Sequence, residues 1–309
     1  MKQKLQMLGA AFMLCATPLF AEDFAVDGIY YNIMSADDKT VEVTYKGDYI
    51  EEVEEYSGSV TIPEIVTYNG NTYTVTNIGE WAFGYCSGLT SVVIPNNVTS
   101  IDVSAFSHCS GLTSVEIHNS ITYIGYAVFS GCSGLKSINI AADNPIYDSR
   151  DNCNAIIETQ TNTLIAGCSE TIIPNTVTSI GHDAFLDCSN LTSVVIPNSV
   201  ISIGDYAFSR CSRLTSVVIP NSVISIGGDA FSDCSRLTSV EIPNSVTNIE
   251  VAAFGGCSGL TSIVVAEGNP TYDSRNNCNA IIETQTNTLI AGCSNTTIPN
   301  SVTDRKSVV

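Results

Sequence analysis

The chain has 309 residues, of which 44% are hydrophobic and 14% are charged, and its formal net charge at pH 7 is −19. An acidic surface repels phosphate backbones and anionic lipids, so this composition disfavours nucleic acid as a partner. Because the charged residues are few, the acidity is dilute, and the solubility of a secreted protein is sufficient to explain it.

Residues 1–21 are predicted to be a secretory signal peptide. Two lysines precede an apolar run that is too short to span a bilayer, and Ala21 is a small residue suited to the position before cleavage. Leu14 directly before Cys15 disfavours a lipoprotein signal. No other apolar run approaches the roughly 20 residues of a transmembrane helix. We therefore expect a secreted or outer cell-surface protein without a transmembrane span.

Residues 22–56 are predicted to form an N-terminal β-hairpin cap. Ile29–Ile33 and Val41–Tyr45 alternate as strands do, and the polar segment Ala36–Lys39 joins them. Such a cap would cover the exposed first coil of a repeat protein. The acidic run Glu51–Glu55 is either a cation site or a solvated edge that discourages pairing, and the second interpretation is favoured.

The segment after the cap carries a further hairpin signal. Val60–Pro63 already fits the strand of the later repeat, and Tyr68–Asn71 contains the Asn-Gly pair of a type I′ turn. The first coil is therefore predicted to carry a projecting β-arm. Trp81, the only tryptophan, is interpreted as packing against the cap, with a ligand anchor as the alternative.

From Trp81 onward the chain repeats a 23-residue unit, seen at Leu191–Arg213 as LTSVVIPNSVISIGDYAFSRCSR. Seven copies place a phenylalanine at one position and a cysteine three residues later. The phenylalanines are Phe83, Phe106, Phe129, Phe185, Phe208, Phe231 and Phe254, and the cysteines are Cys86, Cys109, Cys132, Cys188, Cys211, Cys234 and Cys257. A fixed period of this length predicts a solenoid.

The pattern inside one unit predicts how a coil is built. Leu214, Val217 and Ile219 alternate as a short strand, and Pro220 ends it because proline cannot donate to a ladder. One strand per coil is expected. A glycine such as Gly227 permits the next corner, and the Ala-Phe-x-x-Cys stretch is predicted to be one helical or 3-10 turn.

The motif L-x-x-[VI]-x-I-P-x-x-V-x-x-I-G-x-x-A-F-x-x-C resembles that of the BspA-like leucine-rich repeat family of bacterial surface proteins, and the resemblance covers residues 57–303. It implies a right-handed, strand-rich leucine-rich-repeat solenoid with short helical or 3-10 turns. Known members act as adhesins or bind host proteins. The resemblance transfers no catalytic residue.

Residues 144–169 and 269–294 form a second-order repeat in which 24 of 26 positions are identical. Each is predicted to be a hairpin-bearing coil, with Ala155–Glu158 paired to Leu164–Ala166 in the first copy. Four residues of the first copy could form a binding lip: Tyr147, Asp148, Arg150 and Asp151. Asx turns and a local Asp-Arg pair explain the same residues, and this structural interpretation is favoured.

Twelve cysteines in an exported chain would normally predict disulfides. Cys15 leaves with the signal peptide, however, and seven of the remaining eleven occupy the same inward position of successive coils. Stacked Cβ vectors at that position run parallel rather than toward each other. We therefore predict a ladder of reduced, buried thiols. No C-x-x-C or C-x-x-H spacing occurs, so neither a metal nor another cofactor is expected.

The sequence contains no recognisable catalytic arrangement. His108, His118 and His182 fall at three different positions of the repeat, and no serine or cysteine is paired with histidine and a third group at reproducible positions. Gly227 and Gly228 form a coil corner rather than a phosphate-binding loop. We therefore expect a protein without enzymatic activity.

The candidate binding surface is the outward position of the repeat strand, flanked by columns of threonine and serine. It is occupied by Val93, Glu116, Asn139, Val195, Val218, Glu241 and Val264. Such a weakly charged strand face suits extended contact with a large extracellular protein or glycan of a host, a matrix or another cell, as an adhesin would make. The alternative interpretation is that this composition is simply favourable for a sheet. The alternative function is a passive spacer or surface-layer component that carries a domain lost by truncation.

The end of the chain departs from the repeat. After Thr303 the pattern requires Ser-Ile-Gly and an Ala-Phe corner, but the chain continues as Asp304–Val309. These six residues can be encoded by a stretch of a common sequencing adapter. Residues 304–309 are therefore predicted to be a non-native tail of a truncated chain.

Overall fold

The computed structural model describes residues 22–47 and 56–305. The predicted signal peptide, the acidic run Glu51–Glu55 and the last four residues of the tail lie outside the described residues.

The N-terminal cap is a three-stranded antiparallel meander rather than a simple hairpin. Its strands are β1 (Phe24–Val26), β2 (Ile29–Ser35) and β3 (Thr40–Thr44). The hairpin of β2 and β3 is the one that the sequence predicts. The first strand was missed because its three residues are too few to show an alternating pattern.

The first repeat region follows the cap. Its strands are β4 (Gly58–Thr61), β5 (Ile65–Tyr68), β6 (Asn71–Ile78), β7 (Leu89–Val93), β8 (Ser100–Ile101), β9 (Ser114–Ile117), β10 (Tyr123–Ile124) and β11 (Ser137–Ile140). Strand β3 of the cap pairs in parallel with β6, so the cap extends the sheet of the repeats. This pairing gives the first coil a partner for its strand edge.

The predicted arm is the hairpin of β5 and β6. Asn69 and Gly70 at its tip have φ values of 49° and 77°, as a type I′ turn requires. The arm does not project, which corrects the sequence-based expectation. The ring of Tyr68 stacks on Phe24 with the centroids 4.3 Å apart, and Val66 and Tyr73 are buried. The arm packs against the cap because the apolar side chains on one of its faces are removed from water there.

The first hairpin-bearing coil consists of β12 (Tyr147–Asp148), a 3-10 helix (Arg150–Asn152), β13 (Ala155–Glu158) and β14 (Thr163–Gly167). Strands β13 and β14 are the antiparallel pair that the sequence predicts.

The second repeat region comprises β15 (Ser179–Ile180), β16 (Val194–Val195), β17 (Ser202–Ile203), β18 (Val217–Val218), β19 (Ser225–Ile226), β20 (Ser239–Ile242), β21 (Asn248–Ile249) and β22 (Ser262–Val265). A second hairpin-bearing coil follows, with β23 (Tyr272–Asp273), a 3-10 helix (Arg275–Asn277), β24 (Ala280–Glu283), β25 (Thr288–Gly292) and β26 (Asp304–Arg305).

Each regular coil contributes two strands, not the single strand that the repeat pattern suggests. The first strand of each coil carries the Leu-x-x-Val segment, and the second carries the Ser-Ile pair. Second strands pair in parallel at a shift of 23 residues, as Ile203 does with Ile226. The extra strand was missed because two residues cannot show a period.

The Ala-Phe corner forms a third hydrogen-bonded side of the coil. Its N–H groups alternate between partners: that of Ala82 bonds the carbonyl of Gly79 at 3.1 Å, three residues back, whereas that of Phe83 bonds Ala105 of the next coil at 2.8 Å. Trp81 has φ 58°, the value that the third position of a type II turn needs. The corner is therefore a series of β-turns, some with positive φ, whose alternate N–H groups bond the next coil, and not the helical or 3-10 turn that the sequence predicts.

The interior of the solenoid is a column of stacked phenylalanine rings. The Phe208 ring lies 5.0 Å from that of Phe185 and 5.2 Å from that of Phe231, with interplanar angles of 7°. The column breaks between Phe129 and Phe185, where the first hairpin-bearing coil is inserted. Two hydrophobic cores result, one on each side of this coil.

The inserted hairpin is buried on both of its faces. Ile156 belongs to the N-terminal core, whereas its neighbours Ala155 and Ile157 belong to the C-terminal core. A Cβ on Gly167 would lie 2.2 Å from the Phe185 ring, so only glycine lets the ring pack there. The hairpin therefore replaces one phenylalanine layer and joins the two cores.

The thiols form hydrogen bonds between coils. Cys211 donates to the carbonyl of Phe185 at 3.2 Å and Cys234 to that of Phe208 at 3.2 Å, in each case 26 residues back. Within the described residues, no cysteine forms a disulfide. Cys109, Cys132 and Cys257 form the same bond, so within each repeat region the cysteine column ties a coil to the preceding one as well as filling the interior.

Replacing Phe208 by alanine is expected to lower the free energy of unfolding by about 3–5 kcal/mol, because it opens a cavity between two rings that cannot collapse onto each other. Urea denaturation measures the change. Val218→Ala is the control, since this side chain is 77% exposed, and its effect should be about 0.5 kcal/mol or less. Equal losses in the two variants would contradict a buried phenylalanine column.

The stability should also fall in alkaline solution. Burial raises the pKa of the Cys188 and Cys257 thiols from an ordinary value of 9.0 to about 12. Since the unfolded chain releases these protons near pH 9.0 and the folded chain holds them to about pH 12, stability is complete below pH 9 and falls as the pH rises between these values.

We expect urea denaturation at pH 8 and pH 10.5 to show this fall, and the Cys188→Ala, Cys257→Ala double variant to show a smaller one. Burial also raises the pKa of Tyr31 and Tyr56, so the informative quantity is the difference between the wild type and the variant. An identical pH dependence in the two proteins would be evidence against buried thiols.

Candidate functional site

All seven residues predicted for the binding surface have exposed side chains. They are Val93, Glu116, Asn139, Val195, Val218, Glu241 and Val264. Of the four valines among them, Val195 is the most exposed, at 83%. Valine is favoured in strands whether or not it is buried, so the exposure of one valine does not by itself indicate a binding site.

The seven residues do not form one continuous strip. Glu116 pairs with Asn139, Val195 with Val218 and Glu241 with Val264, each pair lying in a separate two-stranded sheet. The first hairpin-bearing coil follows Asn139 along the solenoid and precedes Val195. The predicted surface is therefore divided into an N-terminal and a C-terminal part.

The C-terminal part contains an open groove of about 710 Å³, which we call the strand groove. Three of the predicted residues line it: Val218, Glu241 and Val264. Its lining also includes the serines Ser216, Ser239 and Ser262 at the start of the strands, and Asn221 and Asn244 in the turns that follow them. The groove crosses three coils, because the same positions recur in each.

The two hydroxyl columns beside these strands differ in their hydrogen bonding. The threonine hydroxyls bond the preceding coil, as Thr238 does to the carbonyl of Thr215 at 3.4 Å and Thr261 to that of Thr238 at 3.2 Å. The serine hydroxyls that line the groove form no hydrogen bond within the described residues. The threonines therefore stabilise the solenoid, while the serines remain available to a partner.

The possible binding lip of the first hairpin-bearing coil is a structural ion pair. Arg150 donates from Nε to Asp148 Oδ1 at 2.8 Å and from a terminal nitrogen to Asn162 Oδ1 at 2.9 Å. The neighbouring carboxylate raises the pKa of this arginine. Arg275 makes the equivalent bonds to Asp273 and Asn287 in the second copy. This confirms the structural interpretation for Asp148 and Arg150. Their charged groups bond each other, and Arg150 also bonds Asn162 of the same coil.

The parallel ladder of second strands is interrupted at each hairpin-bearing coil by a tyrosine. The Tyr147 hydroxyl accepts the backbone N–H of Ile124 at 3.1 Å, and the Tyr272 hydroxyl accepts that of Ile249 at 2.9 Å. A side chain thus replaces the backbone carbonyl that a regular coil would supply. The sheet ends there without leaving this buried donor unsatisfied.

A cleft of about 380 Å³, here called the seam cleft, lies where the ladder is interrupted. Its lining includes Tyr123, Tyr126, Tyr147, Glu158, Ile165 and His182. Sequence reasoning missed it because it joins segments on either side of the hairpin. A signal was present, since Tyr123 is the only aromatic residue in a column that otherwise holds asparagine, serine and threonine.

Trp81 starts a row of stacked rings on the Ala-Phe corner. Its ring lies parallel to that of Tyr85 at 5.8 Å, and the Tyr85 ring lies parallel to that of His108 at 4.6 Å. These contacts run along the corner rather than toward the cap. The single tryptophan therefore stacks on its own corner, whereas its packing against the cap stays a prediction.

His108 and His182 each lie against a tyrosine ring and beside an aspartate, whereas His118 has a different environment. His118 lies 2.7 Å from the hydroxyl of Ser120, a contact that the sequence analysis did not foresee, and 2.9 Å from the carbonyl of Ile94. Because a carbonyl only accepts, Nε2 donates to it and Nδ1 accepts from the serine. No carboxylate orients this ring within the described residues, so the pair lacks the acidic member of a catalytic triad.

No group of three or more histidine, cysteine, aspartate or glutamate side chains within the described residues is arranged to hold a metal ion. No helix in residues 22–47 and 56–305 has the length and apolar character needed to cross a membrane.

Comparison with known proteins identifies the repeat. A family model described as "BspA type Leucine rich repeat region" matches residues 56–161 and 157–282, with six copies. No curated protein matches the sequence. Among solved structures, a leucine rich cell surface protein from Faecalibacterium prausnitzii A2-165 aligns with a TM-score of 0.51 at 23% identity, over 81% of this chain and 89% of that one. At this identity the likeness shows the fold.

Two further structures align with lower scores. A leucine-rich repeat protein from Bacteroides ovatus ATCC 8483 has a TM-score of 0.42 at 24% identity, over 79% of this chain and 71% of that one. The pneumococcal vaccine antigen PcpA has a TM-score of 0.42 at 17% identity, over 79% of this chain and 82% of that one.

Tyr147→Phe is expected to lower the free energy of unfolding by about 1–3 kcal/mol, because it leaves the buried N–H of Ile124 without an acceptor. Tyr272→Phe should cause a similar loss at the second copy. Tyr123→Phe is the control, since Tyr123 is half exposed. Chemical denaturation of the three variants compares them. If Tyr147→Phe proved as stable as Tyr123→Phe, the capping role of the hydroxyl would be wrong.

Proposed function

The chain belongs to the BspA-type leucine-rich repeat family, and from this premise we propose that it is a secreted or cell-surface binding protein of the adhesin type. It contacts an extracellular protein or glycan of a host, a matrix or another cell through the outward face of its first strands. Membership of a family of bacterial surface proteins and the predicted signal peptide support the location.

The single observation that carries the proposal is the strand groove. It exposes aliphatic side chains, with Val218 77% accessible, beside serine hydroxyls that form no hydrogen bond within the described residues. Apolar contact supplies affinity at about 25 cal/mol per Å² of surface removed from water, and hydroxyl donors and acceptors supply specificity. A partner laid along the groove meets a serine in each of three successive coils, beside Val218, Glu241 and Val264.

The proposal assigns no chemical step to the protein. Burial raises the pKa of the cysteine thiols, which disfavours the thiolate that a nucleophile needs. The cysteine thiols instead hold neighbouring coils together, and so support the outward strand face that is proposed to bind a partner.

The competing function is a passive spacer, which would hold another domain away from the cell and bind nothing itself. The two functions differ in what the isolated protein does. Screening the purified protein against immobilised matrix proteins and glycans distinguishes them, because a spacer retains no partner above background.

The triple variant Val195→Lys, Val218→Lys, Glu241→Lys should weaken binding of the captured partner at least tenfold while leaving the unfolding midpoint unchanged, because these side chains contact solvent and not the core. A tenfold loss corresponds to about 1.4 kcal/mol. Biolayer interferometry measures the affinity, and circular dichroism measures the unfolding.

The matched control is Ile201→Lys, Ile224→Lys, Glu250→Lys, which makes the same change in charge at exposed positions outside the groove. It should bind as the wild type does. Equal weakening by both triple variants would mean that charge alone matters. Undiminished binding by the variant of Val195, Val218 and Glu241, of which the last two line the groove, would place the site elsewhere.

A further inference from the structure

We propose that the seam cleft is a second binding site, which takes the side chain of a lysine or arginine from a partner polypeptide. It opens beside the second strands, at the interruption of their ladder, and shares no residue with the strand groove. The proposal therefore does not depend on the function assigned to the groove.

Aromatic rings line the cleft and are accessible. Tyr123 is 50% and Tyr126 62% exposed. The Tyr126 ring meets that of His182 at 5.0 Å and 72°, and the next ring in the row, Tyr206, meets His182 at 5.7 Å and 82°. These edge-to-face contacts hold the Tyr126 ring in place, while at least half of the surface of Tyr123 and Tyr126 remains accessible. An ammonium or guanidinium group is attracted to the face of a tyrosine ring, more strongly where it is partly desolvated.

The charges around the cleft select a cation over a neutral ligand. Glu158 contributes a carboxylate, and no lysine or arginine belongs to the lining. Two carboxylates face His182, with Asp183 at 3.2 Å and Asp205 at 3.9 Å. Arg150, on the same coil as Glu158, is paired with Asp148. The chain as a whole carries a formal charge of −19, which steers a cationic partner toward it.

The volume limits what the cleft holds. About 380 Å³ lies at the small end of the range for ligand sites. It accommodates one long side chain and not a folded domain. A lysine or arginine fits this space because its aliphatic stem packs against tyrosine and Ile165 while its charged end reaches the carboxylate.

The duplicated coil shows that the fold does not require these aromatic residues. At the positions 125 residues later, Asn248 replaces Tyr123 and Val251 replaces Tyr126, whereas the capping hydroxyl of Tyr272 and the carboxylate of Glu283 are both kept. The same interruption of the ladder is thus built without the two tyrosines. Their presence in the first copy calls for a role other than folding.

The test uses full-length protein with isotope-labelled tyrosine rings, titrated by NMR with end-blocked pentapeptides that carry lysine, arginine or glutamine between glycines. We expect the lysine and arginine peptides to shift the resonances of Tyr123 and Tyr126, and the glutamine peptide to leave them unchanged. The double variant Tyr123→Asn, Tyr126→Val should weaken the binding of the cationic peptides at least about fivefold.

This double variant carries the residues of the second copy, so it is expected to fold, and it leaves the net charge unchanged. It thereby separates the site from general attraction to an acidic protein. Glu158→Gln should also weaken binding, whereas Glu283→Gln, with the same loss of charge at the second copy, should not.

Three outcomes would overturn the proposal. One is equal binding of the glutamine and lysine peptides. Another is equal weakening by Glu158→Gln and Glu283→Gln, since attraction would then be general. The third is a neutral disaccharide that shifts the two tyrosines when the cationic peptides do not, which would make the cleft a glycan site. None of these results bears on the strand groove, which the variants leave intact.

Discussion

A coil of this protein cannot bury its own apolar side chains, and every other feature of the structure depends on that constraint. The phenylalanine ring of one coil is covered by the rings above and below, 5.0 and 5.2 Å away at Phe208. Burial is thus a property of neighbouring coils and not of any single one. Hydrogen bonds keep the coils in register: the parallel pairing of first and of second strands, the alternating bonds of the Ala-Phe corner, the threonine hydroxyls, and the thiols that donate to phenylalanine carbonyls.

The alignment of the coils requires an unfavourable backbone conformation at the Ala-Phe corner. Residues such as Trp81, Tyr85, His108 and Asp187 adopt positive φ, a conformation that costs a non-glycine residue about 1–2 kcal/mol. The cost is offset because the alternating turn directs every second N–H group to the next coil. It also points the side chains of these positions outward, where they are exempt from the packing that fixes phenylalanine and cysteine. Aromatic rows can therefore vary along the corner without disturbing the core.

The hairpin-bearing coils divide the protein into segments and create its irregular surfaces. Both faces of the inserted hairpin are apolar, so it joins two cores where a regular coil would extend one. Because it replaces the Ala-Phe corner and interrupts the second-strand ladder, a tyrosine hydroxyl has to satisfy the donor at the break. The seam cleft results from this interruption, whereas the strand groove results from regular repetition. The protein thus has two kinds of candidate binding surface. The strand groove repeats from coil to coil, and the seam cleft forms at the first hairpin-bearing coil.

The sequence by itself determined the solenoid, the buried phenylalanine and cysteine positions, the two hairpin-bearing coils and the exposure of the seven outward residues. All of these follow from spacing, because the same position in each copy meets the same environment. Only the tertiary structure decided that the arm packs against the cap, that each coil has a second strand, and that three of the seven residues share a groove. It also brought Tyr126 to His182 across 56 residues of sequence. Such contacts escape sequence reasoning because they arise where the repeat is broken, and a period predicts only what it repeats.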